Sequence, residues 1–318
     1  MEHAVEEKPV IHMGLPISNG KLAMWLFLVT EIMFFTGLIG TYIILRNGQP
    51  TSNEPWPKPH QVHLIEWVGA FNTFVLICSS LTVVLAHWSL SKRNVGQAVA
   101  FITVTLILGG VFLVVKAFEY KSKYDHRILP GFVYDRVDGQ GGTDYYKRVL
   151  KDLEESAQIR LMIEARDKFQ SENGKMPSYD ELFDLYLKKV KLDKKDVTGD
   201  RENRPSWLWY QMTSKGPERG LSAEEVARRV HDLVEDYPSS HLTEYIPFGN
   251  MWASCYFAMT GFHAIHVFGG LVVFAIILIM AARGRFGPQH ESLVELTGLY
   301  WHFVDIVWIF LFPLVYLV

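Results

Sequence analysis

The chain has 318 residues, 49% of them hydrophobic, and a formal net charge of −3, averages that exclude a strongly basic nucleic-acid-binding protein but would suit an ordinary soluble one. Its two cysteines, Cys78 and Cys255, fall in different apolar runs, which argues against a stabilising disulfide and a cysteine-based metal site; both read as small apolar packing residues. The averages conceal a division, because the apolar residues gather in long blocks towards the two ends while most of the charge lies in the middle.

A helix rising about 1.5 Å per residue needs about 20 mostly apolar residues to cross a bilayer core. Five stretches meet this length: Leu22 to Leu45, Trp67 to Leu90, Gln97 to Phe118, Phe248 to Ala282 and Leu293 to Val318. With no water in hydrocarbon to satisfy backbone groups, such runs must be helical, so the expected fold is an all-α integral membrane bundle of five transmembrane helices. Met1 to Lys21 carries Glu2, Glu6 and Glu7 and lacks the pattern of a cleaved signal, so the first helix is expected to be retained as an anchor. Lys21, Lys92, Arg93, Arg283 and Arg285 flank the helices on one side, with Arg46 dissenting. By the positive-inside rule the N-terminus is cytoplasmic, and the loop at Thr51 to Pro59, the middle segment and the C-terminus are extracytoplasmic.

The expected division is 1–120 for the tail and helices one to three, 121–246 for a small soluble insert, and 247–318 for helices four and five. The insert is too long for a connection and is rich in both charge signs. Helical spacing recurs in Tyr145, Val149, Leu153, Ile159, Met162 and Ile163, in Leu182, Leu185, Tyr186 and Val190, and in Val226, Val230 and Leu233. Ser222 and Glu225 form a candidate capping box. Asp138 to Gly142 is read as a linker, since no strand precedes it and no phosphate-loop pattern follows.

Charge in hydrocarbon is costly unless paired or turned to the bundle interior, so each intramembrane ionisable residue is a candidate site. These are Glu31 in helix one, His87 near the inner end of helix two, Lys116 and Glu119 at the outer end of helix three, His263 and His266 in helix four, and Glu295, His302 and Asp305 in helix five. His263 and His266 share a face, with Gly269 and Gly270 beside them to admit another helix. Glu295, His302 and Asp305 share a stripe that could satisfy the histidines across an interface. Hydrogen bonds that fix packing and a functional role both remain open for them. Glu31 stands apart, since its neighbours Phe27, Phe34 and Phe35 offer no partner. A bis-histidine haem drawn from His87, His263, His266 and His302 fits the spacing poorly, and a metal site of His263, His266 and Asp305 lacks an identifiable second shell.

The runs Thr260-Gly261-Phe262-His263 with His266, Tyr300-Trp301-His302-Phe303-Val304-Asp305-Ile306-Val307-Trp308 and Glu31-Ile32-Met33-Phe34-Phe35-Thr36-Gly37 resemble the signature helices of subunit III of the haem-copper oxidases. Asn72-Thr73, Ala86-His87 and Phe118-Glu119-Tyr120 match further points in order. The resemblance implies a non-catalytic subunit of a proton-pumping terminal oxidase in a bacterial plasma (inner) membrane. Such a subunit holds no haem, copper or other metal itself, those belonging to partner subunits; it binds phospholipid in a cleft and stabilises subunit I. By the same resemblance Glu31 faces the lipid cleft, and His87, Glu119, His263, His266, Glu295, His302 and Asp305 match the family's polar positions. Oxidase subunits I and II and membrane lipids are the implied partners, with no nucleic acid. The cytochrome c branch is preferred, a quinol oxidase is the near alternative, and a haem-binding cytochrome b is the rival of another class. Many members have seven helices, and the first two have no counterpart here. The insert stands where the family has a short loop, and it is expected to dock on subunit II, cytochrome c or another extracytoplasmic partner.

Overall fold

A computed structural model describes residues 18–48, 56–192, 204–215, 221–236 and 242–317. The expectation of an uncleaved N-terminal stretch and part of the loop at Thr51 to Pro59 lie outside them. The chain divides into two compact units, one formed by Met1–Asn47, Glu66–Lys116 and Phe257–Val318, the other by Gly48–Ile65 and Ala117–Tyr256.

The first unit is the apolar one. Helices α1 (Asn19–Asn47), α2 (Glu66–Ser91), α3 (Val95–Asp125), α9 (Gly249–Ala282) and α10 (Glu291–Phe312) are each long and apolar enough to cross a membrane. They bear out the all-α reading and its five spans, and α3 runs seven residues beyond its expected end. The stops are local. At the α2–α3 turn Arg93 takes a left-handed φ of 60°, and Asn94 Oδ1 accepts from Gln97 N at 3.3 Å to cap α3. After α9, Gly284 has φ +68°, and the Gly284 and Arg285 amides return to the carbonyls of Ala281 and Met280, so the orphan carbonyls of the last turn are satisfied where glycine alone is unstrained. Beyond α10, Pro313–Leu317 continues as one wide π-turn, as suits a proline that has no N–H to donate.

These helices turn large apolar side chains outward: Trp25, Met33, Ile44, Phe74 and Ile265 are all exposed. In water such a surface would collapse or aggregate; in lipid it costs nothing, because acyl chains are as apolar as leucine. What holds the helices to one another must therefore be close packing and interhelical hydrogen bonds.

The second unit contains the insert, folded as α4 (Gly139–Glu155), α5 (Ala157–Asn173), α6 (Tyr179–Val190), α7 (Pro205–Lys215) and α8 (Ala223–Asp236). Tyr145, Val149, Leu153, Ile159, Met162, Leu182, Trp209, Val226 and Val230 form its core. The Tyr145 to Ile163 pattern proves to be two helices, because Ser156 is extended, ends α4 and caps α5 through Ile159 N at 3.3 Å. On α6 the buried face is Tyr179, Leu182, Phe183 and Leu187, while Val190 at its end is exposed. A capping box closes its start, with Ser178 and Glu181 bonding reciprocally. Of the box expected at α8, the bond from Glu225 N to Ser222 Oγ is present at 3.1 Å, while the Glu225 carboxylate reaches Arg229 instead, at 3.5 Å. The Gly139-Gln140-Gly141-Gly142 stretch is the first turn of α4 rather than a linker. Gly142 is needed there, as a Cβ would stand 2.2 Å from the Val137 carbonyl oxygen.

His63 lies before α2 with its ring stacked on His126 at 4.0 Å. Burial lowers its pKa to about 4, and the nearby His126 and Lys123 add to the effect. Glu244, at 3.8 Å and shared with His231, does not reverse this. A histidine whose folded pKa lies below its free value of 6.5 binds fewer protons folded than unfolded, so stability is full above about 6.5 and falls with pH towards 4. Thermal unfolding at pH 7 and pH 5 is therefore expected to show a larger loss in the wild type than in His63→Gln. Parallel losses would contradict that assignment.

Candidate functional site

The intramembrane polar residues of the first unit do not form one cluster. They sort into a pair on the face of α1, a rail between α2 and α10, and a buried group against α3.

Glu31 was expected to lack a partner, and the structure corrects this. Its Oε2 lies 3.0 Å from His266 Nε2 on α9. His266 Nδ1 lies 2.7 Å from the Phe262 carbonyl oxygen, which can only accept, so Nδ1 carries a proton. One further proton then lies between Glu31 and His266, either on a neutral acid facing a neutral ring or on an imidazolium facing a carboxylate. Both arrangements have no net charge, which is how such a pair survives among apolar neighbours. Phe35 packs edge-on against His266 at 5.3 Å, Phe34 against Phe262 at 5.0 Å, and the Tyr300 hydroxyl donates to the His266 carbonyl at 2.9 Å. The partner was hidden in the sequence because it lies 235 residues away on a helix that only the fold brings near.

Beside this pair an apolar cavity of about 400 Å³ opens between α1 and α10, lined by Leu28, Ile32 and Phe35 on one side and His302, Phe303 and Ile306 on the other. His302 turns its Nδ1 to Ser80 Oγ on α2, at 2.5 Å.

The expectation that polar stripes on α9 and α10 satisfy each other is also corrected. α10 bonds to α2 along a rail of hydroxyls, where Trp301 Nε1 donates to Ser79 Oγ and Trp308 Nε1 to Thr73 Oγ1, both at 2.9 Å. Each hydroxyl passes its own proton to a carbonyl on its helix, Ser79 to Leu76 and Thr73 to Gly69. Their pairing was not read from the sequence: Thr73, Trp301 and Trp308 entered only within the runs that carry the resemblance, and Ser79 not at all. The adjacent serines in the middle of an apolar helix were the available signal.

His263 is buried against Phe112 and Trp308, and neither ring nitrogen has a hydrogen-bond partner. Asp305 is buried with one carboxylate oxygen, Oδ1, unpartnered. Lys116 is buried nearby, with its ammonium 2.9 Å from the Tyr316 hydroxyl and over the Trp308 ring at 5.0 Å. At the other ends of these helices Lys21 pairs with Glu295 at 2.7 Å and His87 faces Glu291 at 3.8 Å. In the second unit Glu119 accepts a hydrogen bond from Tyr256, and Lys123 donates to the Val62 carbonyl. Among the described residues no group of three or more His, Cys, Asp or Glu side chains is placed to hold a metal ion.

The family profile for cytochrome c oxidase subunit III matches residues 9–127 and 240–318, more than half of the chain. This chain belongs to the cytochrome c oxidase subunit III family. The match includes Glu31, His266, the α2–α10 rail and the apolar cavity, and it breaks over 128–239, where α4 to α8 lie. Among curated relatives, the cytochrome c oxidase subunit 3 of Thermostichus vulcanus is 30% identical over 42% of this chain and 59% of its own. That of Corynebacterium diphtheriae is 36% identical over 32% and 51%, and that of Synechocystis sp. 46% over 21% and 30%. The chain thus spans less than two thirds of the length of these relatives.

Proposed function

We propose that this chain is the non-catalytic subunit III of a proton-pumping terminal oxidase of the cytochrome c branch, serving aerobic electron transport in a bacterial plasma membrane. In this reading it stabilises subunit I and holds phospholipid. The observation that supports it most is the apolar cavity between α1 and α10 beside the Glu31–His266 pair. A recess that offers almost no polar contact suits an acyl chain rather than a polar substrate, and the neighbouring ion pair or acid–imidazole pair is one a lipid-filled recess would keep dry. The basic residues Lys92, Arg93, Arg283 and Arg285 support a cytoplasmic N-terminus and an extracytoplasmic insert. The insert, with a core of its own, is read as a docking module for subunit II or an electron donor. Assembly and donor kinetics unchanged on deleting 125–243 would remove that role.

The test is to purify the tagged chain gently from its native membrane and record its optical spectrum and companions. Haem that arrives with a large oxidase subunit and is lost when this chain is stripped off alone is expected. Haem retained on the isolated chain would favour a cytochrome b instead, and a companion subunit II without a copper site would favour the quinol branch.

Glu31→Gln tests the lipid role separately. Glutamine keeps the shape and can still bond to His266, so the amount of this chain in the purified complex is expected to be unchanged. Retained phospholipid and lifetime under turnover are expected to fall; if neither moves, Glu31 is a packing residue.

A further inference from the structure

A second cavity, of about 460 Å³ and open to solvent, lies in the second unit between the segment that follows α3 and one face of α4. Asp144, Lys147, Arg148 and Lys151 recur at the spacing of a single helical face, and opposite them stand Arg127 and the Gly131 to Tyr134 loop. Four cations and one carboxylate line the space. Arg148 is occupied, held by Asp152 at 2.5 Å, and Lys151 is 4.0 Å from Glu155. Arg127 and Lys147 have no acid within ion-pair distance among the described residues. Asp144 accepts from Gln140 at 3.0 Å.

The position of the cavity says what kind of anion would meet these cations. α3 runs seven residues, about 10 Å, past the end of its apolar run at Phe118, and Arg127 follows two residues later, so it stands on the water side of the surface, where a headgroup rather than an acyl chain would meet it. The loop opposite is fixed to the start of α9, since Gly131 N donates to Asn250 Oδ1 at 2.9 Å and Asn250 Nδ2 donates to the Val133 carbonyl at 2.7 Å. Gly131 takes φ +83°, which lets the loop turn there, and Phe132 between the two anchored residues is 61% exposed. An exposed aromatic held by two hydrogen bonds of its neighbours, beside cations with no acid partner and on the water side of two spanning helices, suits the phosphate of a lipid headgroup.

We propose that this cavity binds a phosphate group, carried by the headgroup of an anionic phospholipid, with Arg127 and Lys147 as its cationic contacts and Phe132 set against the glycerol region. The site is distinct from the apolar cavity of the first unit: that one offers no charge to a headgroup, and this one offers little to an acyl chain.

The experiment uses the full-length chain in an uncharged detergent and measures, by native mass spectrometry, binding of added phosphatidylglycerol and phosphatidylcholine, with and without inorganic phosphate. The wild type is expected to prefer phosphatidylglycerol. Arg127→Gln with Lys147→Gln is expected to weaken that lipid roughly thirtyfold, from about 1 kcal/mol per cation near an anionic surface, and to leave phosphatidylcholine unchanged. Lys168→Gln, an exposed cation on α5 facing Glu172, serves as the control and should retain the preference. Equal helical content of the variants by circular dichroism confirms folding. Phosphate binding that the double variant weakens, without any lipid preference, would overturn the lipid source; equal behaviour of wild type and double variant towards every probe would overturn the site.

Discussion

Gly270→Val is expected to dismantle the packing of α3, α9 and α10, lowering the temperature at which the detergent-solubilised chain loses its monodisperse peak by more than Gly269→Ala does. A Cβ at Gly270 would stand 2.6 Å from Trp301 Cε3, a distance real Cβ atoms do not tolerate. The ring cannot retreat: on its far edge a Cβ at Gly109 of α3 would likewise meet it at 2.8 Å, its Nε1 is tied to Ser79 of α2, and Phe274 packs edge-on at 5.1 Å. Four helices thus meet on one indole, and in lipid, where burial of apolar surface drives nothing, close packing of this kind is what associates helices. Overpacking costs about 1–3 kcal/mol where neighbours can give and more where they cannot. Gly269→Ala is the control, because its Cβ would meet only the Tyr300 hydroxyl at 3.5 Å. A valine at 270 that melts with this control would show that the indole is free to move.

The same residues show how far the sequence could be read. Span length and apolarity are one-dimensional properties, so the five helices were legible, to within a few residues except at the seven-residue extension of α3, and the resemblance carried by Tyr300 to Trp308 reached the family. Which polar group meets which was not legible, because a stripe shows which residues share a face and says nothing about the helix that face meets. Glu295, His302 and the α9 histidines looked complementary; in the fold Glu295 turns to Lys21 on α1 and His302 to Ser80 on α2, while His266 takes Glu31. Within the insert, helical periodicity located α6 and α8 but merged α4 with α5, since Ser156 breaks the chain without glycine or proline to mark it. Helix α7 went unread because its aromatic run Trp207 to Tyr210 packs on several sides and shows no single apolar face.

Asp152→Ala should unfold much of the insert while leaving the apolar spans helical. Asp152 on α4 is buried, accepts from Arg148 at 2.5 Å, and accepts from both the backbone amide and the hydroxyl of Thr243, at 3.1 and 2.5 Å. Thr243 belongs to the strand of chain that leaves the insert for α9, so this one carboxylate joins the first helix of the insert to its exit. Removing it strands a mostly buried guanidinium and a buried amide together, and breaking a buried ion pair from one side costs about 3–5 kcal/mol. Domains of this size are stable by about 5–15 kcal/mol, so the loss is a large fraction of the whole. Thr243→Val removes only the hydroxyl and should cost about 1 kcal/mol. Limited proteolysis of the purified chain distinguishes the two: rapid cutting between α4 and α8 is expected for Asp152→Ala, near wild-type resistance for Thr243→Val, and intact helical signal from the spans in both. Equal resistance of the two variants would mean that the apolar core around Tyr145, Trp209 and Val226 holds the insert without this tether.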